Sequence, residues 1–109
     1  MPTDETLRLV QGLAAAGEVR ISDHGYDELA DDAIFVDEVL AGLSDAVVVE
    51  DYPTAAKGPS VLVVQYDGMG RPLHVVWGIP KGRTSPAVLI TAYRPDPARW
   101  SPDFTERSK

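Results

Sequence analysis

The side chains best suited to chemistry lie between Arg71 and Trp100, in and around two apolar runs. His74 could titrate near neutral pH, Tyr93 could donate a proton or stack on a base, and Arg94 could hold a phosphate. Cleavage of RNA without a metal needs a base for the 2′-hydroxyl, an acid for the leaving oxygen and cations for the charge that develops on the phosphate. His74, Tyr93 and Arg94 are therefore the candidate catalytic residues.

Further cations near these residues are candidates for binding nucleic acid. Lys81 and Arg83 flank Gly82 in a turn between the two apolar runs, and Arg71 precedes the first run. An exposed basic turn presents its charges readily to phosphate groups, although a solvated hairpin tip explains the same residues. His24, at the start of a short helical pattern, is the candidate for a second site.

Each candidate also has a purely structural interpretation. His74 can be a strand histidine hydrogen-bonded within the fold, and His24 can contact its own backbone at a helix start. Alternation along the strand groups Tyr93 with Ala87 and Leu89, which favours a core position for the tyrosine. In that case its hydroxyl has a structural partner and takes no part in chemistry.

Charge is divided unevenly along the 109 residues, whose net charge is −7. Residues 1–52 carry two basic and thirteen acidic side chains, a net −11, whereas residues 53–109 carry eight basic and four acidic ones, a net +4. The basic half can present a local positive face to RNA even though the whole molecule repels a polyanion at long range. The acidic half would instead suit a protein partner with a basic surface.

Composition excludes several classes of protein. The absence of cysteine rules out disulfides, thiolate metal sites and cysteine nucleophiles, and two histidines are too few for a zinc site without carboxylates. We therefore expect no metal and no cofactor. No apolar run approaches the roughly 20 residues of a membrane span, and the acidic start lacks the features of a secretory signal. The expected location is cytoplasmic, and nothing indicates the oligomeric state.

The first part of the chain is predicted to form two or three helices. Thr3 is the predicted cap of the first, which ends near Ala16. Ser22 or Asp23 caps a second that runs to residues 31–32. The third has an apolar face formed by Val36, Val39, Leu40 and Leu43.

From residue 45 the pattern changes to short β-branched runs separated by turn residues. Strands are predicted at residues 46–52, 60–66, 73–77 and 87–93, and residues 18–21 suit a short strand or an extended link. The expected fold is a single α+β domain over residues 1–109, with the helices packed on an antiparallel meander of about four strands. A proline-rich tail begins near residue 95, with Trp100 and Phe104 as its packing residues.

Several stretches together resemble a bacterial domain-of-unknown-function family, number 4258. The firmest parts are the glycine-arginine-proline-leucine-histidine strand entry at residues 70–74 and the threonine-x-tyrosine-x-proline-aspartate exit at residues 91–96. The resemblance implies a compact fold of helices followed by a sheet, similar to the small RelE-like and BrnT-like toxins of toxin–antitoxin systems, many of which cleave RNA. The family pattern His-Ala-x-x-Arg on the early helix becomes His24, Gly25 and Glu28 here, so an anion replaces the cation.

Two functional hypotheses compete. The first is a protein with a toxin-like fold that acts as a metal-independent RNA endonuclease, or descends from one, and binds RNA through its basic half. The second is a non-catalytic interaction module of a toxin–antitoxin-like pair, in which the acidic helices or a sheet edge bind a protein. Convergence of His74, Tyr93 and Arg94 on one exposed concave face would favour the first.

Overall fold

A computed structural model describes residues 4–108, which form three helices packed on one five-stranded sheet. The helices are α1 (Glu5–Ala15), α2 (Asp23–Asp31) and α3 (Val36–Gly42). The strands are β1 (Val19–Ile21), β2 (Val47–Tyr52), β3 (Ser60–Tyr66), β4 (Pro72–Gly78) and β5 (Ala87–Tyr93). No helix in residues 4–108 has the length and apolar character needed to cross a membrane.

The sheet corrects the predicted four-stranded antiparallel meander, because it has five strands and is mixed. The strand order is β1-β5-β4-β3-β2, with β1 parallel to β5 and every other pair antiparallel. The additional strand is β1, which lies within residues 18–21, the stretch predicted to form either a short strand or an extended link. The Ala87 amide donates to the Glu18 carbonyl, and the Ser22 amide to the Leu89 carbonyl, each over 3.0 Å. The α+β class is confirmed.

Helix boundaries follow local capping chemistry. The hydroxyl of Ser22 accepts a hydrogen bond from the Gly25 amide over 2.9 Å and also lies 3.0 Å from the Ile90 carbonyl, so one side chain caps α2 and ties it to β5. Phe35 stands at the N-cap of α3 without a side-chain bond, and acidic residues in the first turn complement the helix dipole. The predicted cap Thr3 lies outside the described residues.

The two faces of the sheet are covered differently. The helices cover one face, here called the helical face, where the main core includes Val10 and Leu29 from the helices and Leu73, Val75 and Trp77 from β4. The opposite face, here called the outer face, carries the alternate residues of the same strands. Along β4 the side chains alternate, so that His74 and Val76 face away from this core.

The C-terminal segment covers one end of the outer face. Residues 99–108, here called the C-terminal strap, fold back on themselves through a bridge between Trp100 and Arg107. Trp100 and Phe104 pack against a small buried cluster formed by Val49, Leu62 and Val64. The tail therefore packs through the two predicted aromatic residues, and it hides part of the sheet from solvent.

Candidate functional site

His74 lies in the middle of the sheet, opposite Val64 on β3 and Tyr93 on β5. Its side chain is fully buried beneath the strap, and its ring meets the Trp100 ring edge-on with 4.4 Å between the centroids. Its Nε2 lies 2.8 Å from the Phe104 carbonyl and its Nδ1 lies 3.1 Å from the Tyr93 hydroxyl. Because a carbonyl only accepts, Nε2 carries the proton and Nδ1 accepts from the tyrosine. Both ring nitrogens are thus engaged.

The environment keeps this pair of side chains neutral. Burial lowers the pKa of His74 below its usual 6.5; the Arg107 charge acts in the same direction, whereas the bond to the Phe104 carbonyl opposes the shift. Burial likewise raises the pKa of Tyr93 above its usual 10.0. At neutral pH the histidine offers no positive charge and the tyrosine no phenolate.

The expectation that Tyr93 shares a face with Ala87 and Leu89 is wrong. The register of β5 against β4 shifts at the point where Ile90 stands without a partner. An extra residue of this kind reverses the alternation of side chains along a strand. Thr91 and Tyr93 therefore face outward beside the histidine, whereas Leu89 faces the helices.

Three residues that sequence reasoning missed complete the polar surroundings of the histidine. Arg107 on the strap places its Nη1 3.0 Å from Glu50 Oε2, and its guanidinium lies 5.0 Å from the Trp100 ring centroid. The hydrogen bond from Arg107 is the main cause that lowers the pKa of Glu50. Tyr52, two residues further along β2, also lowers the pKa of Glu50. Alternation along β2 predicts that Glu50 and Tyr52 share one face of the sheet. No pattern in the sequence indicates that this face contacts the strap.

Arg94, the third predicted catalytic residue, forms an ion pair with Asp67. Its Nη2 lies 3.0 Å from the buried Asp67 Oδ2, and Arg71 Nε lies 3.1 Å from the same oxygen. Backbone amides of Arg71 and Met69 also donate to this carboxylate, which lowers the pKa of Asp67 to about 2. The Arg94 amide donates to Asp32. Both arginines thus brace the turn between β3 and β4.

His24 lies on the exposed surface of α2, where its Nε2 is 3.5 Å from Glu28 Oε1. The residue that replaces the family cation is therefore the histidine's own partner. Gly25 next to it packs closely on β5, because a Cβ at this position would lie 2.8 Å from the Leu89 carbonyl oxygen. An alanine, which the family pattern has here, would need α2 to move away from the sheet.

The basic residues of the described chain fall into two sets. Five arginines lie 2.7–3.8 Å from a carboxylate: Arg8, Arg71, Arg94, Arg99 and Arg107. Four exposed cations form no ion pair within residues 4–108: Arg20, Lys57, Lys81 and Arg83. Arg20 and Lys57 line one groove, and Lys81 and Arg83 lie in the turn that follows its residue Pro80.

This groove, of about 380 Å³, is open to solvent and lies on the outer face beyond the strap. A single row of paired residues crosses its floor, from Arg20 on β1 through Val88 and Gly78 to Ser60 on β3. Arg20 stands at one end of the row and Lys57 in the loop at the other. Gly78 is four residues from the histidine along β4, roughly 13 Å at the usual rise of a strand.

Two glycines account for the shape of the groove. A Cβ at Gly78 would lie 2.8 Å from Ile90 Cδ1 and 3.4 Å from the Pro59 carbonyl oxygen, so the missing side chain lets the Ile90 side chain lie close against β4. Gly58, with a φ of +121°, lets its loop lie against β4, where a Cβ would come within 2.0 Å of the Ile79 carbonyl oxygen. The loop between β2 and β3 thereby forms one wall of the groove.

Backbone bonds bring the other cations to this wall. The Lys81 amide donates to the Lys57 carbonyl over 2.9 Å, and the Arg83 amide closes a turn onto the Pro80 carbonyl over 3.0 Å. Lys81 and Arg83, two of the three residues predicted to bind nucleic acid, are therefore beside the groove, whereas Arg71 is not. Sequence reasoning missed Arg20 and Lys57, although alternation in residues 18–21 marks Arg20 as an outward residue.

Comparison with known proteins identifies a family for this chain. The family described as Domain of unknown function (DUF4258) matches residues 21–94, about two thirds of the chain. No curated protein and no solved structure matches. The matched span includes the histidine and most of the groove, but it ends before the strap and begins just after Arg20. Within residues 4–108 no three His, Asp or Glu side chains are grouped as metal ligands would be.

Proposed function

The chain belongs to the DUF4258 family, and we propose that it is a non-catalytic binding module that takes a segment of a partner protein into the outer-face groove. The observation that carries the proposal is the position of the four unpaired cations of residues 4–108: Arg20 and Lys57 line one groove, and Lys81 and Arg83 lie in the turn that follows its residue Pro80. Such a surface is complementary to a partner that offers carboxylates and aliphatic side chains. The proposed partner is an antitoxin-like protein that offers such a segment.

The lining of the groove favours a protein over RNA. Its apolar lining is aliphatic, with Val88, Ile90 and Pro80, and no aromatic residue lines it. Stacking on aromatic rings is worth about 1–3 kcal/mol per base in proteins that bind single strands, and the groove offers none. The net charge of −7 also repels a polyanion at long range, whereas a short acidic segment carries far less charge.

The expected free energies of binding indicate that the groove needs both ion pairs and apolar contacts to hold a partner. Each exposed ion pair contributes about 0.2–1 kcal/mol, so four of them supply only a few kcal/mol. Micromolar affinity corresponds to about 8 kcal/mol. The difference has to come from burial of aliphatic side chains, each worth about 1.5–3 kcal/mol. We therefore expect a moderate affinity that weakens with salt but does not vanish.

The surroundings of His74 support binding rather than chemistry. Both ring nitrogens are engaged, and the strap covers the ring. Access of a 2′-hydroxyl would require removal of the strap together with the Phe104 bond. Purified wild-type protein and a His74→Ala variant are expected to leave total RNA intact. Cleavage by the wild type that the variant lacks, at matched folded fractions, would overturn the non-catalytic assignment.

Co-purification from the native host tests the groove directly. The double variant Arg20→Glu/Lys57→Glu reverses two groove cations, and the control Arg8→Glu/Arg99→Glu makes the same change of net charge at two exposed cations outside it. A stoichiometric protein partner should accompany the wild type and the control but not the groove variant. Retention of the partner by the groove variant would refute the proposal, and recovery of RNA in place of protein would refute the partner class.

A further inference from the structure

We infer that the partner segment is held at the Arg20 end of the groove by strand addition: part of it pairs with the free edge of β1 as a sixth strand and sets an acidic side chain beside Arg20. This inference rests on the proposed function and specifies how the segment is held. Three features of β1 carry it: its unpaired backbone groups, the exposure of its edge, and the unpaired charge of Arg20.

The edge of β1 presents backbone groups without partners. The Glu18 carbonyl and the Ser22 amide both bond to β5, the only strand beside β1 in the described sheet. Amides and carbonyls of successive strand residues point alternately to the two sides, so those of Val19 and Ile21 face away from β5. No other segment of residues 4–108 bonds to them. Two donors and two acceptors are therefore available to another strand.

This edge is also open to solvent. Arg20 is exposed, and Val19 and Ile21 are only partly buried although their side chains pack against the main core. The helix that follows, α2, packs against β5, where a Cβ at Gly25 would lie 2.8 Å from the Leu89 carbonyl oxygen. A strand added beside β1 would extend the sheet and cover the apolar area that Val19 and Ile21 still expose.

The opposite edge of the sheet is less suited to an acidic segment. In β2 the register against β3 shifts at Val49, and a bulge of this kind interrupts the even spacing of donors and acceptors along an edge. Glu50 and Asp51 follow directly and would repel an acid. Three consecutive residues of β1, in contrast, pair with β5 in unbroken register. The acidic segment is therefore expected at β1.

Arg20 determines the charge that the added strand should carry. Its side chain lines the groove and forms no ion pair within residues 4–108. A residue directly opposite on an added strand would have its Cβ about 4.5–5.5 Å away on the same face, within reach of an ion pair. Glu18, two positions earlier, is exposed on that face as well. One acid flanked by neutral outward residues is therefore favoured over a run of acids.

Peptides of opposite charge test the position of the strand. The probes are Thr-Val-Glu-Val-Thr and Thr-Val-Lys-Val-Thr, each capped at both ends, titrated into the full chain and followed by the amide signals of residues 18–22. The wild type should bind the glutamate peptide at least about threefold more tightly than the lysine peptide, and Arg20→Glu should reverse this order. The control Arg8→Glu makes the same change of net charge on α1 and should keep the wild-type order.

Two results of this titration would overturn the inference. One is an unchanged preference for the glutamate peptide in Arg20→Glu. The other is no binding of either peptide to the wild type at millimolar concentration.

A matched pair of variants at Ile21 tests the backbone bonds. Ile21→Pro removes the amide that faces the free edge, a position where a sheet tolerates proline, whereas Ile21→Ala keeps the amide and also loses the isoleucine side chain. The glutamate peptide should bind Ile21→Pro at least about fivefold more weakly than Ile21→Ala, with thermal unfolding as the check that both are folded. Equal binding by the two folded variants would overturn strand addition.

Hydrogen exchange in the wild type gives a measurement that needs no variant. The amides of Val19 and Ile21 should exchange more slowly when the glutamate peptide is present, because they then donate to the added strand. The Arg20 amide, which faces β5, should change little. Unchanged exchange at Val19 and Ile21 with the peptide bound would place it elsewhere and overturn the inference.

The outcomes separate this inference from the proposed function. A co-purified partner that accompanies folded Ile21→Pro but is lost in Arg20→Glu/Lys57→Glu would show that the groove binds its partner without strand addition. The inference would then fail and the proposed function would stand. A partner that ignores the groove variant would refute the proposed function, even if the glutamate peptide pairs with β1.

Discussion

Replacing His74 with phenylalanine tests whether this side chain anchors the C-terminal strap. The substitution preserves most of the ring volume and the edge contact with Trp100, but it removes the bonds to the Phe104 carbonyl and the Tyr93 hydroxyl. A lost hydrogen bond costs about 0.5–1.5 kcal/mol, and a buried acceptor left without a donor costs about 1–3 kcal/mol. The more apolar ring offsets part of this loss. We expect a net destabilisation of about 1–3 kcal/mol.

Urea unfolding measures this loss. With a denaturant slope of about 1–3 kcal/mol per molar, typical of a small domain, a loss of about 2 kcal/mol moves the midpoint down by roughly 1 M. Limited proteolysis should also cut residues 99–108 faster in the variant. His24→Phe is the control, because that ring is exposed and its removal should change stability by less than about 0.5 kcal/mol. An unchanged midpoint and unchanged proteolysis in His74→Phe would refute the anchoring role.

The same variant has a pH signature. Burial lowers the pKa of His74 in the folded protein below 6.5, so in this range the unfolded chain binds the proton more readily. The stability due to the neutral ring is fully present above pH 6.5 and is lost as pH falls from there toward the folded pKa. Wild-type stability should therefore decline over this interval more steeply than that of His74→Phe. Parallel pH profiles would contradict the burial argument.

Three further substitutions test the parts of the fold that surround the candidate site. Gly25→Ala should cost about 1–3 kcal/mol, seen in urea unfolding, because its Cβ would press on the Leu89 carbonyl. Arg107→Leu should lower the melting temperature at low ionic strength and less so in high salt, because it removes an exposed ion pair with Glu50. Asp67→Asn should lower the melting temperature at neutral pH. Because the wild-type carboxylate has a pKa of about 2 against 3.8 unfolded, its advantage should fade as pH drops from 3.8 toward 2.

Features that depend on neighbouring residues were predictable from the sequence. The bounds of β3 and β5, the burial of Val39 and Leu43 and the cap at Ser22 all follow from periodicity or from a side chain that bonds a few residues away. The predicted apolar face of the third helix is wrong in one member, because Leu40 is exposed. The parallel pairing of β1 was not predictable, because Val19 pairs with Ala87, far along the chain. No local pattern marks a partner at that distance.

The candidate site was predictable only in part, for the same reason. Alternation along residues 73–77 separates His74 from Leu73, Val75 and Trp77, but the burial of His74 depends on where the strap folds. The direction of Tyr93 was wrong because one bulge reverses the alternation. Sequence also cannot separate paired from unpaired cations, since Arg94 finds Asp67 whereas Lys57 finds no acid within residues 4–108. That distinction, which carries the proposed function, exists only in the folded chain.

Substitutions at the two ends of the outer face therefore report on different properties: stability at the histidine end and binding at the groove. At the histidine end the strap holds Phe104 at a φ of +62°, a conformation that costs a non-glycine residue about 1–3 kcal/mol and persists only where surrounding contacts offset it. His74 supplies one of those contacts. Loss of an activity in His74→Ala thus reports first on stability. Arg20, in contrast, is exposed and makes no ion pair in the described chain, so its substitution should leave stability nearly unchanged. A loss of binding in Arg20→Glu therefore reports on the groove itself.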